Sequence, residues 1–332
     1  MAAYTTIDDP TAFFQIELYT GTGSSNARTF DSDTNLDLSS GGVVWIKSRS
    51  DTEYHRLYDT VRGVHKEIYT NASLAEGTNT NSLTAFGSDG FTVGSETGVN
   101  ANTETHVAWC WKESATAGFD IVSYTGNSTN RTISHNLSAV PKMMIVRNLQ
   151  GGYNWIVYHV GNGATKYMYL DTDASVYTGS GYFNDTAPTS SVFTVGTDAQ
   201  VNTTSATIMA YVFADVQGFS KFGTYTGNGN ADGPMIFLGF RPAWIMVRDT
   251  GNAASWMIMD NKRSGYNPTN NRLYAHTQAV EEGAVDRFDI LSNGFKIRTS
   301  DADTNCSSCN FIYAAFAEAP FVNSNGVPCN AR

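Results

Sequence analysis

The residues best typed for holding a metal form an alternating acidic run. Asp31, Asp33, Asn35 and Asp37 read D-x-D-x-N-x-D, an oxygen at every second position, which is how a calcium loop wraps a hard cation. An EF-hand also requires Gly at the sixth position of such a loop and Glu at the twelfth, and here these are Leu36 and Gly42. Asp301, Asp303 and Asn305 repeat the opening of the pattern near the far end. The competing reading of both runs is a polar turn capped by its own side chains. Calcium is the one cofactor these residue types suggest.

Aromatic side chains beside turns offer a second chemistry. Tyr153, Tyr177, Tyr182, Phe183 and Tyr266 stand among Gly, Ser and Asn, the mixture from which adaptable binding surfaces are made. A sugar ring would lie on such a face while nearby oxygens take its hydroxyls. Packing at the edge of a sheet is the alternative for each. Lys47, Arg147 and Arg248 close three apolar strands. Their periodic placement argues for a structural task, satisfying loop carbonyls or pairing with a carboxylate, rather than for an acidic ligand.

Catalytic patterns are thin. Glu281, Glu282, Asp286 and Asp289 cluster, and paired carboxylates can hydrolyse a glycan, but nothing in the sequence fixes their separation and an acidic surface face is the default reading. The six histidines, at 55, 65, 106, 135, 159 and 276, form no H-E-x-x-H motif. No G-x-S-x-G elbow or phosphate-binding loop is present. Thr226-Gly227-Asn228-Gly229 is a turn with no helix after it. The chain is therefore expected not to be an enzyme. Of the four cysteines, Cys110 lies inside an apolar strand, Cys306 and Cys309 form one C-x-x-C, and Cys329 is near the end. With no second C-x-x-C or His pair at zinc spacing, free loop thiols are expected, a local disulfide or a zinc site being the alternatives.

The elements that would carry these groups recur. Tyr19-Thr20-Gly21, Tyr124-Thr125-Gly126 and Tyr225-Thr226-Gly227 lie 105 and 101 residues apart, and the strand-closing bases 100 and 101 apart. Phe91, Phe193 and Phe295, each after a Ser-x-x turn, recur every 102 residues. Apolar strands VAWCW, MAYVF and YAAFA follow, beginning at 107, 209 and 313. Asp89-Gly90 and Asn293-Gly294 are hairpin turns, since Gly accepts positive φ. A period near one hundred is domain-sized. The expectation is an all-β chain of three tandem β-sandwich or jelly-roll-like modules: a lead-in at 1–12, modules at 13–112, 119–216 and 219–318, and an extended tail at 319–332 that packs on a neighbour or is disordered. A helical turn is expected only around Ala279 to Phe288.

Composition agrees. Charged residues are 16%, against roughly 25% in ordinary soluble domains, and polar Thr, Asn, Ser and Gly disfavour helix. The net charge of −10 argues against nucleic acid, whose binding requires Lys and Arg on phosphates. The first residues lack the basic-then-apolar order of a signal peptide. The best apolar window, Met235 to Val247, is broken by Gly239, Arg241 and Pro242, so membrane insertion is not expected.

The opening Tyr4-Thr5-Thr6-Ile7-Asp8-Asp9-Pro10, Leu18-Tyr19-Thr20-Gly21, Trp45-Ile46-Lys47, Asp59-Thr60-Val61-Arg62-Gly63, Asn81-Ser82-Leu83-Thr84-Ala85-Phe86 and Ala317-Glu318-Ala319-Pro320-Phe321 resemble an uncharacterised repeat family of virion structural proteins from marine tailed bacteriophages. The segment from His135 through Pro141 to Val146 also resembles strands of tail-fibre proteins. The resemblance spans nearly the whole chain and implies a particle component: a tail fibre or receptor-binding protein, made in the host cytoplasm and displayed on the virion. It would act as a homotrimer or other homo-oligomer, bound to other virion proteins and to a host surface glycan or envelope protein. The alternatives are a capsid decoration or other assembly protein and, less favoured, a glycan depolymerase.

Overall fold

Along the strand Thr105–Lys112, Val107, Trp109 and Trp111 share one face and Ala108 and Cys110 the other, and all five are buried. A strand apolar on both faces needs a layer on each side, and that requirement shapes the molecule. A computed structural model describes residues 4–30 and 36–330 of the chain as all-β.

Three large antiparallel sheets follow one another along the sequence. The first orders its strands Phe14–Thr20, Thr105–Lys112, Gly42–Ser48, Arg56–Asp59, Lys66–Tyr69 and Gly77–Thr78. The second runs Phe119–Thr125, Thr207–Phe213, Met143–Asn148, Ile156–His159, Lys166–Tyr169 and Tyr177–Thr178. The third runs Ser220–Thr226, Asn310–Pro320, Phe240–Asp249, Met257–Asp260 and Arg272–Tyr274. In each, the segment's last long strand lies between its first and second, and the register matches: Trp45 opposes Trp109, Ile145 opposes Tyr211 and Met246 opposes Ala314. A small sheet containing Phe91, Phe193 or Phe295 accompanies each large one.

One face of the first and second large sheets meets its small sheet across a core of its own. The other faces of all three converge on one shared core, to which the third segment's outer residues are joined. Phe14 meets Phe316 at 5.5 Å, Trp111 meets Trp244 at 5.6 Å and Phe213 meets Phe316 at 5.8 Å between ring centres. A cavity of about 30 Å³ at the meeting point is lined from all three sheets. Truncating one such aromatic costs about 3–5 kcal/mol, several times the ~1 kcal/mol net of a hydrogen bond, so packing holds the sheets together.

The segments join through tight turns rather than flexible linkers. Ser114 and Phe119 exchange backbone hydrogen bonds of 2.9 and 3.0 Å, and Val216 and Ser220 exchange bonds of 3.1 and 2.9 Å. Helix is confined, among the described residues, to single turns at Pro10–Ala12, Thr97–Asn100, Ser180–Phe183, Ala199–Asn202 and Ala302–Asn305. The helical turn expected near Ala279 is absent, because Glu282 forms a backbone bridge to Arg272 and Phe288 opens a strand. The end of the chain folds back on the molecule itself: Arg241 donates to the Asn330 carbonyl at 2.7 Å, and the Ser324 N–H bonds Asp8 Oδ1 at 2.6 Å. Among the described residues, no helix is long and apolar enough to cross a membrane.

Candidate functional site

The Tyr-Thr-Gly steps are structural. The hydroxyls of Tyr19, Tyr124 and Tyr225 donate to the carbonyls of Val99, Val201 and Thr304 at 2.6, 2.7 and 2.7 Å. Each acceptor precedes a fully buried asparagine, Asn100, Asn202 or Asn305. Asn202 shows the pattern: its amide donates to the Thr129 and Gly196 carbonyls at 2.7 Å each, and its Oδ1 accepts from Asn127 N at 2.9 Å. The glycine of each step permits this approach. A Cβ on Gly21, Gly126 or Gly227 would stand 2.0, 2.0 or 2.2 Å from a carbonyl oxygen.

Head-to-tail contacts link the sheets. Glu76 N bonds the Leu149 carbonyl, Val176 N the Thr250 carbonyl and Glu281 N the Arg49 carbonyl, at 3.0, 3.0 and 2.9 Å. Trp155 Nε1 reaches across to the Tyr69 carbonyl and Trp256 Nε1 to the Tyr169 carbonyl, both at 2.7 Å. Inside, Tyr211 donates to Asp59 at 2.7 Å, Trp109 Nε1 donates to Asp260 at 3.0 Å, and His159 Nε2 lies 3.1 Å from the Tyr313 carbonyl. Second joins first, third joins second and first joins third, so the contacts close a ring. Arg147 and Arg248 serve it. Arg147 bonds the Tyr153 and Leu74 carbonyls, Arg248 those of Ala254 and Ala174, and each guanidinium lies over the ring of Trp155 or Trp256. Lys47 bonds the Ser48 and Asp51 carbonyls at 2.6 and 3.0 Å. Burial lowers the Lys47 ammonium to about 8.

Of the proposed calcium ligands, Asp31, Asp33 and Asn35 lie outside the described residues. Asp37 caps a turn, accepting from Ser39 N and Oγ at 2.9 and 2.6 Å. At the other run the oxygens are engaged: Asp301 caps a helical turn and pairs with Arg287 at 2.7 Å, and Asn305 is one of the buried brackets. Cys306 and Cys309 are joined in a disulfide, which corrects the expectation of free thiols. Cys306 and Cys309 span the same turn as Ala101 to Glu104 and Thr203 to Ala206, each closed by an N–H to the carbonyl three residues back. They lie near Asp249, but the disulfide withholds the thiolates a metal would need. Cys110 is buried as expected.

The carboxylate cluster disperses into ion pairs. Glu281 pairs with Arg49 and Arg263, Glu282 with Arg272 and Asp289 with Arg298, while Asp286 is exposed.

The aromatic candidates separate. Phe183 is a core residue, 1% exposed, edge-on to Tyr158. Tyr266 is 86% exposed on a loop of the third segment. Tyr182 is buried rather than displayed, its ring stacked on Tyr167 at 3.6 Å. Yet with Tyr177 it enters a cluster that the sequence reading had not assembled. Tyr167 and Tyr177 are opposed across the edge strand of the second sheet and stack at 5.5 Å, and Tyr169 lies 5.2 Å from Tyr177. Gln200 ties the group together, donating to the Tyr182 hydroxyl at 2.8 Å and accepting from Asn154 N at 2.9 Å. Beside Asn154, the Tyr153 hydroxyl accepts from Thr203 Oγ1 at 3.4 Å. Burial, with the neighbouring hydroxyls, pushes the Tyr182 phenol far up, and burial takes Tyr167 to about 12, so both stay neutral. Tyr177 presents a ring 40% exposed at the rim. In the first sheet the corresponding opposed pair is Glu67 and Gly77. The alternation of Lys166-Tyr167-Met168-Tyr169 was the available signal for the two missed tyrosines.

No curated protein matches the sequence. The family described as a domain of unknown function, DUF7483, matches residues 9–320, almost the whole chain, and the protein belongs to that family.

Proposed function

We propose that this protein is a surface component of a tailed-bacteriophage virion, a tail fibre or receptor-binding protein. On this reading it holds a host polysaccharide on the tyrosine cluster of the second segment. The observation that carries the reading is the placement of four tyrosines and Gln200 at one sheet edge. The corresponding first-sheet pair is Glu67 and Gly77, so the fold does not require the cluster. Neutral phenol hydroxyls and an amide suit sugar hydroxyls, and the Tyr177 ring offers a face to a pyranose. The acidic residues singled out in the sequence as candidate hydrolytic groups, Glu281, Glu282 and Asp289, are each tied up in ion pairs, which favours binding over cleavage, and the three segments read as copies of one unit used as scaffold. Contacts of this size are weak singly and gain from many copies on one particle.

The test is adhesion of labelled protein to host cells and to their extracted surface polysaccharide. The wild type binds saturably, and Tyr177→Ala weakens binding roughly tenfold, as expected for a contact worth over 1 kcal/mol, with the circular dichroism spectrum unchanged. Adhesion to assembled phage heads but not to host material would reassign the protein to particle assembly. Equal binding by wild type and Tyr177→Ala would remove the tyrosine cluster from the account.

A further inference from the structure

The three junctions of the ring are built alike but filled differently. Arg49, Leu149 and Thr250 occupy the same place: their N–H groups bond the carbonyls of Thr105, Thr207 and Asn310 at 2.7, 3.1 and 2.9 Å. Their own carbonyls receive Glu281, Glu76 and Val176. Where third meets first, the Arg49 fork grips Glu281, Nε to Oε2 at 3.0 Å and Nη2 to Oε1 at 2.7 Å. Behind it, Arg263 holds the same Glu281 at 3.0 Å and Asp260 at 2.5 Å.

The junction of first with second repeats the rear half of that arrangement. Arg62 holds Asp59 at 2.5 Å and Glu76 at 3.3 Å, and donates to the Leu57 carbonyl at 2.9 Å as Arg263 does to Ile258 at 3.0 Å. The front half is missing, because Leu149 stands where Arg49 would reach the carboxylate. The nearest other cation, Lys66, is 3.7 Å from Glu76 Oε1, is 38% exposed, and donates to Thr78 at 2.8 Å. In place of the arginine there is a cleft of about 440 Å³, larger than the roughly 270 Å³ beside Arg49 and within the range of small-ligand sites. Arg62, Glu76, Ser123, Gln150, Ser205 and Thr207 supply its polar wall and Leu149 part of its apolar one. At the remaining junction Val176 and Thr250 meet without a charge.

We propose that the cleft between the first and second sheets binds a guanidinium group, with Glu76 as the counter-charge and the surrounding hydroxyls and Gln150 amide as further acceptors. The ligand would occupy the position that Arg49 fills from within at the other junction. A planar fork matches a carboxylate in two bonds where an ammonium makes one. Arg62, already committed to Asp59, Glu76 and two carbonyls, fixes the carboxylate from behind without closing the front. This site is separate from the tyrosine cluster and independent of the glycan reading.

Calorimetric titration of the intact protein at low salt tests it, using methylguanidinium and an acetylated, amidated Gly-Arg-Gly peptide. Both are expected to bind saturably at one site, more tightly than methylammonium. Glu76→Gln should weaken binding at least tenfold. Leu149→Arg should abolish it and raise Tm, because the new side chain supplies the missing fork. Tighter binding of the peptide would identify an arginine of a partner protein as the source, and equal binding a free small cation. No saturable binding to the wild type, or binding unchanged in both variants, would overturn the proposal.

Discussion

Asn202 illustrates what single residues do here. Removing its side chain leaves the buried Gly196 carbonyl without a partner, at about 1–3 kcal/mol, and gives up the bonds to the exposed Thr129 and Asn127, at about 0.5–1.5 kcal/mol each. Asn202→Ala should therefore lower stability by about 3 kcal/mol or more, read as a fall in the urea midpoint at constant m; a loss under ~1 kcal/mol would contradict the bracket. Asn100 and Asn202 escaped the sequence reading, and Asn305 entered it only as a candidate calcium ligand, because Asn is abundant throughout and their neighbours differ, Val-Asn-Ala, Val-Asn-Thr and Thr-Asn-Cys. The tyrosines they accompany were legible from spacing alone.

Histidine burial sets the response to acid. Burial lowers His106, His159 and His276 to about 4 and His55 well below its ordinary value, whereas in the unfolded chain each titrates near 6.5. Stability from keeping them neutral is complete above about 6.5 and is lost as pH falls toward 4, by up to ~1.4 kcal/mol per unit for each. Glu113 acts oppositely: burial, then its hydrogen bond and charge repulsion with Asp120, raises it to about 7, which favours the folded state as pH falls from 7 to about 4.5. The four imidazoles, shifted across most of that window, outweigh Glu113 and the smaller upward shifts that burial gives Glu104, Asp171, Asp215 and Asp303, so Tm should drop between pH 6.5 and 4, and His159→Gln should shallow the slope. A flat profile over that range would mean the rings are not held neutral.

At the scale of elements, strand identity came from period-two alternation and turns came from Gly and Asn. Which face met which layer did not follow, because strands apolar on both faces fit a free-standing sandwich and a shared core equally well. The C-x-x-C was similarly open until the turn around it was seen. Since Ala101 to Glu104 and Thr203 to Ala206 make that turn without cysteines, the disulfide is a staple and not a foundation. Cys306→Ala/Cys309→Ala should fold to the same circular dichroism spectrum and lose about 2 kcal/mol or less, the loop closed being very short. Failure to fold would show that the third segment depends on its bridge.

For the molecule as a whole, the central proposition is that three sheets form one cooperative body, because each gives a face to a common core and a contact to the next around a closed ring. Three free-standing sandwiches on linkers would each keep a private core and unfold separately. Differential scanning calorimetry of the full chain decides between them. A single transition with calorimetric and van 't Hoff enthalpies in agreement is the expected result; two or three resolved transitions, or a van 't Hoff enthalpy near a third of the calorimetric one, would contradict it.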